Sequence, residues 1–535
     1  MKLLRQFGRK LRGPVWLMLV LSVVLLLFSL YATHQVRAYN SDDVSWQNIV
    51  HDWQPFSGEK VTLGSSNNFV GHVPFMALTE ALFPSGRSLI LLQSAFFAVL
   101  GFVLFYFSAL YFMRRVQVKP TYITLLPFLW FASFGYSYNQ LFLNPQWRGA
   151  GPGLSFAIFA LVAMFLNKEV SLKPLRSKLG FVVVGLIAGI TSFSDPYFIY
   201  FTVATLTIFV TLLYAFKKIQ RAQLLIVYGG VGLSFLFAKA TEIISSRAGI
   251  TMAESYPSSF VSFDRLGQNI SAAFEGMLHI FGADFFGEKA ASLVAVSAVL
   301  NVVILGFITY TIWQQRTSAA SLQKKTTDQG RLWLLFFAGI CVFVVAAYIM
   351  STLASIATYR YFIMVVFTGV FLLAVAMGSM KKYWSLWPIL LVAATIGNVA
   401  LSATHHQSFL QPGSLNNKAN QVNYQIIDAV QSRQLTKGYA DFWQGIINTY
   451  LSRDQVEFLP TLCPDRPVKF HWLVNEDSFT KPATKSFFIV DPDIAAQQIC
   501  TPEQLQTAFG EPTEVLHVTN KTIYIYDYDI TNKIP

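Results

Sequence analysis

At 535 residues the chain has the length of three or four soluble domains, yet 54% of it is hydrophobic and 13% charged, about half the ~25% charge usual for a globular protein. With only three Cys, that composition excludes disorder, collagen and a disulfide scaffold, and it points to an integral membrane protein. The net charge of +12 does not signal a nucleic-acid partner: residues 404–535 hold 10 Lys+Arg against 14 Asp+Glu, so the basic excess lies in the apolar portion, 30 against 14.

In chain order, apolar runs of bilayer-spanning length, about 20 residues each, fall at roughly 14–33, 87–113, 120–137, 152–167, 179–194, 196–216, 222–240, 289–313, 332–352, 359–380 and 383–403. They predict a mainly α, polytopic membrane protein with about 11 transmembrane helices. The two runs that meet at Asp195 are either separate spans or one broken or re-entrant pair. Basic clusters alternate between the runs: Lys2 to Arg12, Arg114 to Lys119, Lys168 to Lys178, Lys217 to Arg221, Arg316 to Arg331, and Lys381 with Lys382. The positive-inside rule places the N-terminus in the cytoplasm and, after an odd number of spans, the tail outside. The first run is longer than the ~7–15-residue core of a signal peptide and lacks a clear small-x-small site, so it reads as an uncleaved span.

Three outer segments are long. The first, 34–86, carries two helix-like stretches. One, from Ser41, places Trp46, Ile49, Val50 and Trp53 at the helical period of an interfacial helix. The other, from Pro74 as a first-turn residue, repeats the pattern at Phe75, Leu78 and Leu82 until Pro84-Ser85-Gly86. The second segment is 241–288. The third is the tail, where Pro412 to Asn417 reads as a linker. A small α/β domain is expected beyond it, dividing the chain into 1–403 and 404–535. Its predicted helices are 420–432, 441–452 and one opened by the capping box Thr501-Pro502-Glu503-Gln504. Its predicted strands are Gln455–Leu459, Val468–Val474, Ser486–Val490, Val515–Val518 and Thr522–Tyr526. Cys463 and Cys500 both lie there, where oxidising conditions allow a disulfide; Cys341 is apolar packing within a span.

Chemistry-bearing groups concentrate on the outer side. Asn40-Ser41-Asp42-Asp43 stands just beyond the first span, where Asn40 or Ser41 caps a helix and the dipole keeps both carboxylates ionised. Such a carboxylate acts as a general base or holds a cation; the alternative is ordinary first-turn capping. Asp195, in Ser192 to Tyr197, is an acid at membrane depth or the cap of a helix that starts at Pro196. Outer-face Arg is scarce. Arg360, in Tyr359-Arg360-Tyr361, opens a late span, and Arg148 follows Trp147 at the start of another; anchoring at the interface is the ordinary role of each. His51-Asp52 point apart on a helix. Asn269-Ile270-Ser271 and Asn520-Lys521-Thr522 match the glycosylation sequon. Asp441 with Trp443 is a saccharide candidate in the tail, although core packing suits Trp443 better.

The order of these features, basic start, one span, Asp42-Asp43, an amphipathic helix, then His72-Val73-Pro74-Phe75 leading to a second span that ends in Arg114-Arg115, resembles the GT-C superfamily of membrane glycosyltransferases. The resemblance is to the bacterial branch related to protein mannosyltransferases and lipid A aminoarabinose transferases. His72-Val73-Pro74-Phe75 departs from the His/Lys-Pro-Pro-Leu form of that branch by Val for the first Pro. Motif-level likeness covers about 40–115 and a few later positions.

The resemblance implies a GT-C-like transmembrane domain with juxtamembrane helices and a catalytic first outer loop, in a bacterial plasma membrane. It implies a polyprenyl-phosphate-linked sugar donor and inverting transfer to a hydroxyl of a glycan, lipid or protein. Asp42 is the expected base, with Asp43 orienting it or binding a cation; Arg360, Arg148 and His72 are expected at the donor phosphate; Tyr359, Tyr361, Asp195 and Trp147 are expected at the substrate. The resemblance fixes no cofactor, leaves a divalent cation as the one candidate, and assigns no metal ligands.

Two other readings compete. A transporter or lipid-linked glycan flippase would place ionisable groups at mid-membrane and often shows paired broken helices, but here only Asp195 qualifies and no internal repeat is visible. A polysaccharide polymerase or ligase would share the chemistry but carry its long outer loop late in the membrane region.

Overall fold

The computed structural model describes residues 13–36, 44–45, 48–49, 54, 56–63, 69–82, 87–134, 150–167, 175–252, 259–317, 328–379, 386–404, 420–492 and 500–535. Seven helices among them are long and apolar enough to cross a membrane, and four shorter apolar helices coincide with the remaining expected runs. The chain is a multi-pass membrane protein.

In order, α1 (Gly13–Val36), α2 (Phe69–Leu82), α3 (Arg87–Arg115), α4 (Tyr122–Ala132), α5 (Gly151–Leu166) and α6 (Leu175–Ser194) form the first half. The chain breaks at Asp195 and resumes as α7 (Pro196–Phe198), a π-helical segment (Ile199–Ala204) and α8 (Thr205–Ala215). Then come α9 (Arg221–Arg247), α10 (Leu266–Ile280), α11 (Leu293–Thr317) and α12 (Asp328–Ile349). A 3₁₀ stretch (Ile356–Phe362) leads into α13 (Ile363–Ser379), and α14 (Leu386–Thr404) follows.

The bundle is organised around α13, which is buried at every position from Ile363 to Met377. An aromatic cluster fills the space between it and α3, α4, α5 and α12. Phe105 meets Phe156 and Phe367 at ring-centroid distances of 4.8 Å each, and Phe337 meets Phe156 at 4.9 Å and Phe371 at 4.8 Å. With lipid outside, dispersion and shape rather than water exclusion hold such helices together, so small residues matter where backbones meet. A Cβ built on Gly153 of α5 would lie 2.0 Å from the carbonyl oxygen of Gly101 in α3, so only glycine permits this crossing. A buried polar chain ties α4, α11 and α14. The indole of Trp130 donates to Asn301 at 2.9 Å, Asn301 donates to Asn398 at 3.0 Å, and Asn398 donates to Ser133 at 3.2 Å.

Residues 420–535 build a six-stranded sheet in the order β5-β4-β3-β7-β9-β8. The strands are β3 (Lys437–Ala440), β4 (Glu457–Leu462), β5 (Val468–Lys469), β7 (Ser486–Val490), β8 (Glu514–Val518) and β9 (Lys521–Tyr526). The helices α15 (Gln421–Gln431), α16 (Phe442–Leu451) and α17 (Pro502–Phe509) flank it, and Cys463 and Cys500 are joined as a disulfide, Cα to Cα 5.0 Å. The Thr501 capping box forms as expected, its hydroxyl accepting from the Gln504 N–H at 3.2 Å.

Three expectations are corrected. Val468–Val474 is not one strand: Leu473 adopts φ +56°, and the run divides into β5 and β6 (Val474–Asn475), which belong to different sheets. The strand β3 was not anticipated. The second loop helix does not begin at Pro74; α2 starts at Phe69, so Pro74 and His72 both lie inside it.

The strand β6 leaves the tail sheet for a three-stranded one, β2-β1-β6. Here β1 (Val61–Leu63) comes from the first expected outer segment and β2 (Ile250–Met252) from the second. Val61 pairs with Ile250 on one side and Asn475 on the other. A buried cluster of Val44, Ile49, Val61, Leu63 and Met76 with Phe442, Ile446, Ile447 and Leu473 seals the junction. The linker at 412–417 lies outside the described residues.

Candidate functional site

The break after α6 is the local event from which the site grows. Asp195 accepts the Tyr197 N–H on Oδ1 at 3.0 Å, which caps the helix that starts at Pro196. Three residues on, the helix widens to π geometry. Thr205 and Thr207 donate back to the carbonyls of Phe201 and Val203 at 2.7 and 2.6 Å, and Thr202 turns inward to share a 2.5 Å hydroxyl contact with Ser155 of α5. π-helical turns inside helices frequently mark functional sites.

Facing this wall is the 3₁₀ stretch with Arg360. Ser355 and Thr358 form its capping box, and the hydroxyl of Tyr348 donates to the Ser355 carbonyl at 2.5 Å. Between the two walls lies a cleft lined by Asp195, Tyr197, Ser155, Thr202, Arg360 and Tyr361. The Arg360 guanidinium sits 5.7 Å over the Tyr361 ring, and its buried Nε has no hydrogen-bond partner among the described residues. A buried guanidinium N–H without an acceptor carries a desolvation cost that an anion in the cleft would relieve.

A second, apolar groove adjoins the cleft and shares Tyr197, Phe201 and Tyr361 with it. Its remaining walls include Tyr200, Phe260, Phe343 and Met350, all exposed on the outside of the bundle. The arrangement places the Arg360 guanidinium and a few polar side chains in a largely apolar cleft beside an apolar surface groove.

Of the expected site residues, the structure brings Arg360, Tyr361 and Asp195 together at this cleft. Tyr359 is not among its lining residues; it packs against α10, its ring stacked on His279 at 5.7 Å and its Cβ in the space a side chain at Gly276 would need. His72 is placed by its backbone on α2, which packs against α6. Asp42, Asp43, Trp147 and Arg148 lie outside the described residues, as do His51 and Asp52. Val44 and Ser45, immediately after the acidic pair, are buried, and Val44 belongs to the cluster at the tail junction. Tyr197, Ser155 and Thr202 were not anticipated as a group. The only local sign was the Ser194-Asp195-Pro196 break, because the Ser155–Thr202 contact joins separate helices.

In the tail, Asp441 caps α16, its Oδ1 accepting the N–H groups of Trp443 and Gln444 at 2.8 and 3.1 Å. Its Oδ2 is buried without a hydrogen-bond partner among the described residues, and burial pushes the carboxyl up to about 6. The neighbouring Asp491 is paired with Lys521. Asn269 of the first sequon is buried, and its amide donates to the carbonyls of Ile349 and Ser351 at 2.7 and 2.9 Å, so the folded chain does not present it for glycosylation. Among the described residues no group of three or more His, Cys, Asp or Glu is placed to hold a metal ion.

The fold is that of a polytopic membrane protein with a cleft beside an apolar groove. Over nearly its full length the chain matches the crystal structure of ArnT from Cupriavidus metallidurans bound to undecaprenyl phosphate, with TM-score 0.50 and 11% identity, covering 96% of this chain and 98% of that one. The apo-state structure of ArnT from the same organism matches with TM-score 0.49 and 10% identity over 98% and 99%. No protein-family model and no curated protein matches the sequence.

Proposed function

We propose that the chain is a glycosyltransferase of GT-C type that moves a sugar, with inversion, from a polyprenyl-phosphate donor to a hydroxyl of a glycan, lipid or protein. The supporting observation is the Arg360 Nε, without a hydrogen-bond partner among the described residues, in a cleft contiguous with an apolar groove. Phosphate suits the first and an isoprenoid chain the second. The ArnT structure that shares the fold was determined with undecaprenyl phosphate bound, which is the same ligand chemistry.

In this reading the protein sits in a bacterial plasma membrane with its N-terminus cytoplasmic. Residues 34–86 are the catalytic outer loop and 404–535 an outer domain. Asp42 takes the proton of the acceptor hydroxyl as its oxygen attacks the anomeric carbon opposite the phosphate. The bond from that carbon to the phosphate oxygen breaks, and its electron pair leaves with the polyprenyl phosphate. Arg360, with Arg148 and His72, stabilises that phosphate charge. Tyr361, Tyr359, Asp195 and Trp147 are assigned to the substrate. Asp43 orients Asp42 or holds a divalent cation.

The test is transfer by the purified chain in liposomes, from a labelled polyprenyl-phosphate sugar to extracted cell-envelope acceptors. Product of inverted anomeric configuration supports the proposal. Movement of lipid-linked glycan between leaflets without transfer would replace it with the flippase reading.

A further inference from the structure

At the membrane face opposite the cleft, several helix ends meet in a polar corner. The phenol oxygen of Tyr111, one turn before the end of α3, accepts from Nε of Arg115 at 3.1 Å and from the side-chain amide of Asn167, just past α5, at 3.3 Å. The carbonyl of Leu166, the last residue of α5, accepts from the side-chain amide of Gln223 at 2.8 Å, which brings the first turn of α9 and Arg221 to the same place. The rings of Phe112 and Trp333 are 5.1 Å apart, which brings the start of α12 and Arg331 there too. Trp333 lies roughly 22 Å along α12 from Tyr348, which holds the Arg360 stretch. The corner is fixed by its backbone. After α3 the Val118 N–H donates to the Met113 carbonyl at 2.8 Å, and Val118 fills the space that a side chain at Gly378, near the end of α13, would need.

This corner is rich in donors and poor in acceptors. Tyr111 is buried, and its oxygen already receives two donors; its own proton meets no acceptor among the described residues. Arg114, Lys217, Lys218 and Arg221 are exposed around it, and Arg115 and Arg331 are half-buried. Among the described residues of these helix ends the one acid is Asp328, the first residue of α12. An arginine in a last helical turn is ordinary where it meets the helix dipole. The dipole does not account for Tyr111 and Asn167, which are uncharged and join Arg115 across two helices. Such a set matches the oxygens of a phosphate. Arg115 ends one membrane-crossing helix and Arg221 begins another, so the corner stands at the depth of lipid headgroups.

We propose that Tyr111, Arg115 and Asn167 form a binding site for the phosphate of an anionic phospholipid. The neighbouring cations give it preference over a zwitterionic lipid. One bound headgroup then clamps the ends of α3 and α5 on the face away from the cleft.

The experiment titrates the full chain in detergent with phosphatidylglycerol or phosphatidylcholine and counts bound lipid by native mass spectrometry. Phosphatidylglycerol should be retained in preference. Arg115→Gln should weaken its binding about fivefold, and Tyr111→Phe, which keeps the ring, by about 2–10-fold. Lys178→Gln is the control. It removes the same charge from an exposed position near the start of α6, a helix that runs parallel to α9 with Gly189 against Ser234, and it should leave binding close to the parent's. Equal retention of the two lipids overturns the proposal. So does equal loss in Arg115→Gln and Lys178→Gln, which would reduce the corner to diffuse surface charge. Inorganic phosphate in large excess should not displace the lipid; displacement would assign the corner to a free anion and overturn the lipid site. Sugar transfer is not read in any arm, so this test stands or fails apart from the proposed function.

Discussion

The hydroxyl of Tyr197 donates to that of Tyr361 at 2.5 Å, with ring centroids 4.4 Å apart. One ring belongs to the helix restarted after Asp195 and the other to the Arg360 stretch, and both line the Arg360 cleft and the apolar groove. The pair is the partition between the two. Tyr361→Phe removes the accepting oxygen, and a half-buried hydrogen bond contributes about 0.5–1.5 kcal/mol. A small drop in the thermal midpoint is expected, with helical content unchanged. An unchanged midpoint would show that the pair does not join the two walls energetically.

Arg360→Ala should weaken binding of polyprenyl phosphate. A hydrogen bond to a charged group contributes about 1.5–3 kcal/mol, which corresponds to roughly 10–150-fold in Kd. Arg360→Lys should recover part of the loss, because it keeps the charge but not the planar fork. Binding of labelled lipid in detergent is the measurement, and equal affinity for all three proteins would remove Arg360 from the site.

Asp42→Asn keeps the size of the side chain and removes the base. Transfer should fall by about 10²–10⁴-fold while lipid binding persists. A variant that transfers at the parent rate would leave Asp42 as a helix cap.

Ile446 is 3% exposed within the cluster that joins the tail to the first loop, and Asn48 reaches the Ile446 carbonyl at 3.3 Å. Ile446→Ala should cost about 2–5 kcal/mol at this junction. Limited proteolysis should then cut between 404 and 420 faster than in the parent chain. Cleavage at the parent rate would show that the β1–β6 pairing alone holds the tail.

Asp441 binds its proton more tightly when folded, because burial raises its carboxyl to about 6. Between the unfolded value of about 3.9 and about 6, the folded state holds more protons, so this group's contribution to stability falls as pH rises through that window and stays low above it. Asp441→Asn can still cap α16. It should raise stability at pH 7 by up to about 3 kcal/mol and flatten the pH dependence between about 4 and 6. Denaturant midpoints of the full chain at pH 4.5 and 7.5 test both parts.

The helical bundle was legible because hydrophobic run length is a local property that the bilayer demands of every span. What went unread depends on partners remote in sequence. The strand β3, Lys-Gly-Tyr-Ala, is buried along its whole length between two parallel neighbours, so it lacks the alternation that marks a half-exposed strand. The strands β1, β2 and β6 are two or three residues long and pair across some 190 and 410 positions, which no local pattern announces. Arg360, Tyr361 and Asp195 were each singled out by charge or polarity at a span end. Tyr197, Ser155 and Thr202 were not, because a hydroxyl within a span usually bonds its own helix and looks the same whether or not it faces a cleft.

The contact between Gly101 and Gly153 has a mechanical consequence. Two helix backbones in direct touch have no side chains between them to compress or rotate, so the α3–α5 wall beside Gly151 and Ser155 is stiff. The segment that meets this wall through the Ser155–Thr202 contact has π geometry, whose extra residue per turn allows the backbone to exchange hydrogen-bond registers. Breathing of the cleft is therefore expected in the π-helical segment beside the Asp195 break, while the glycine crossing acts as the fixed jaw.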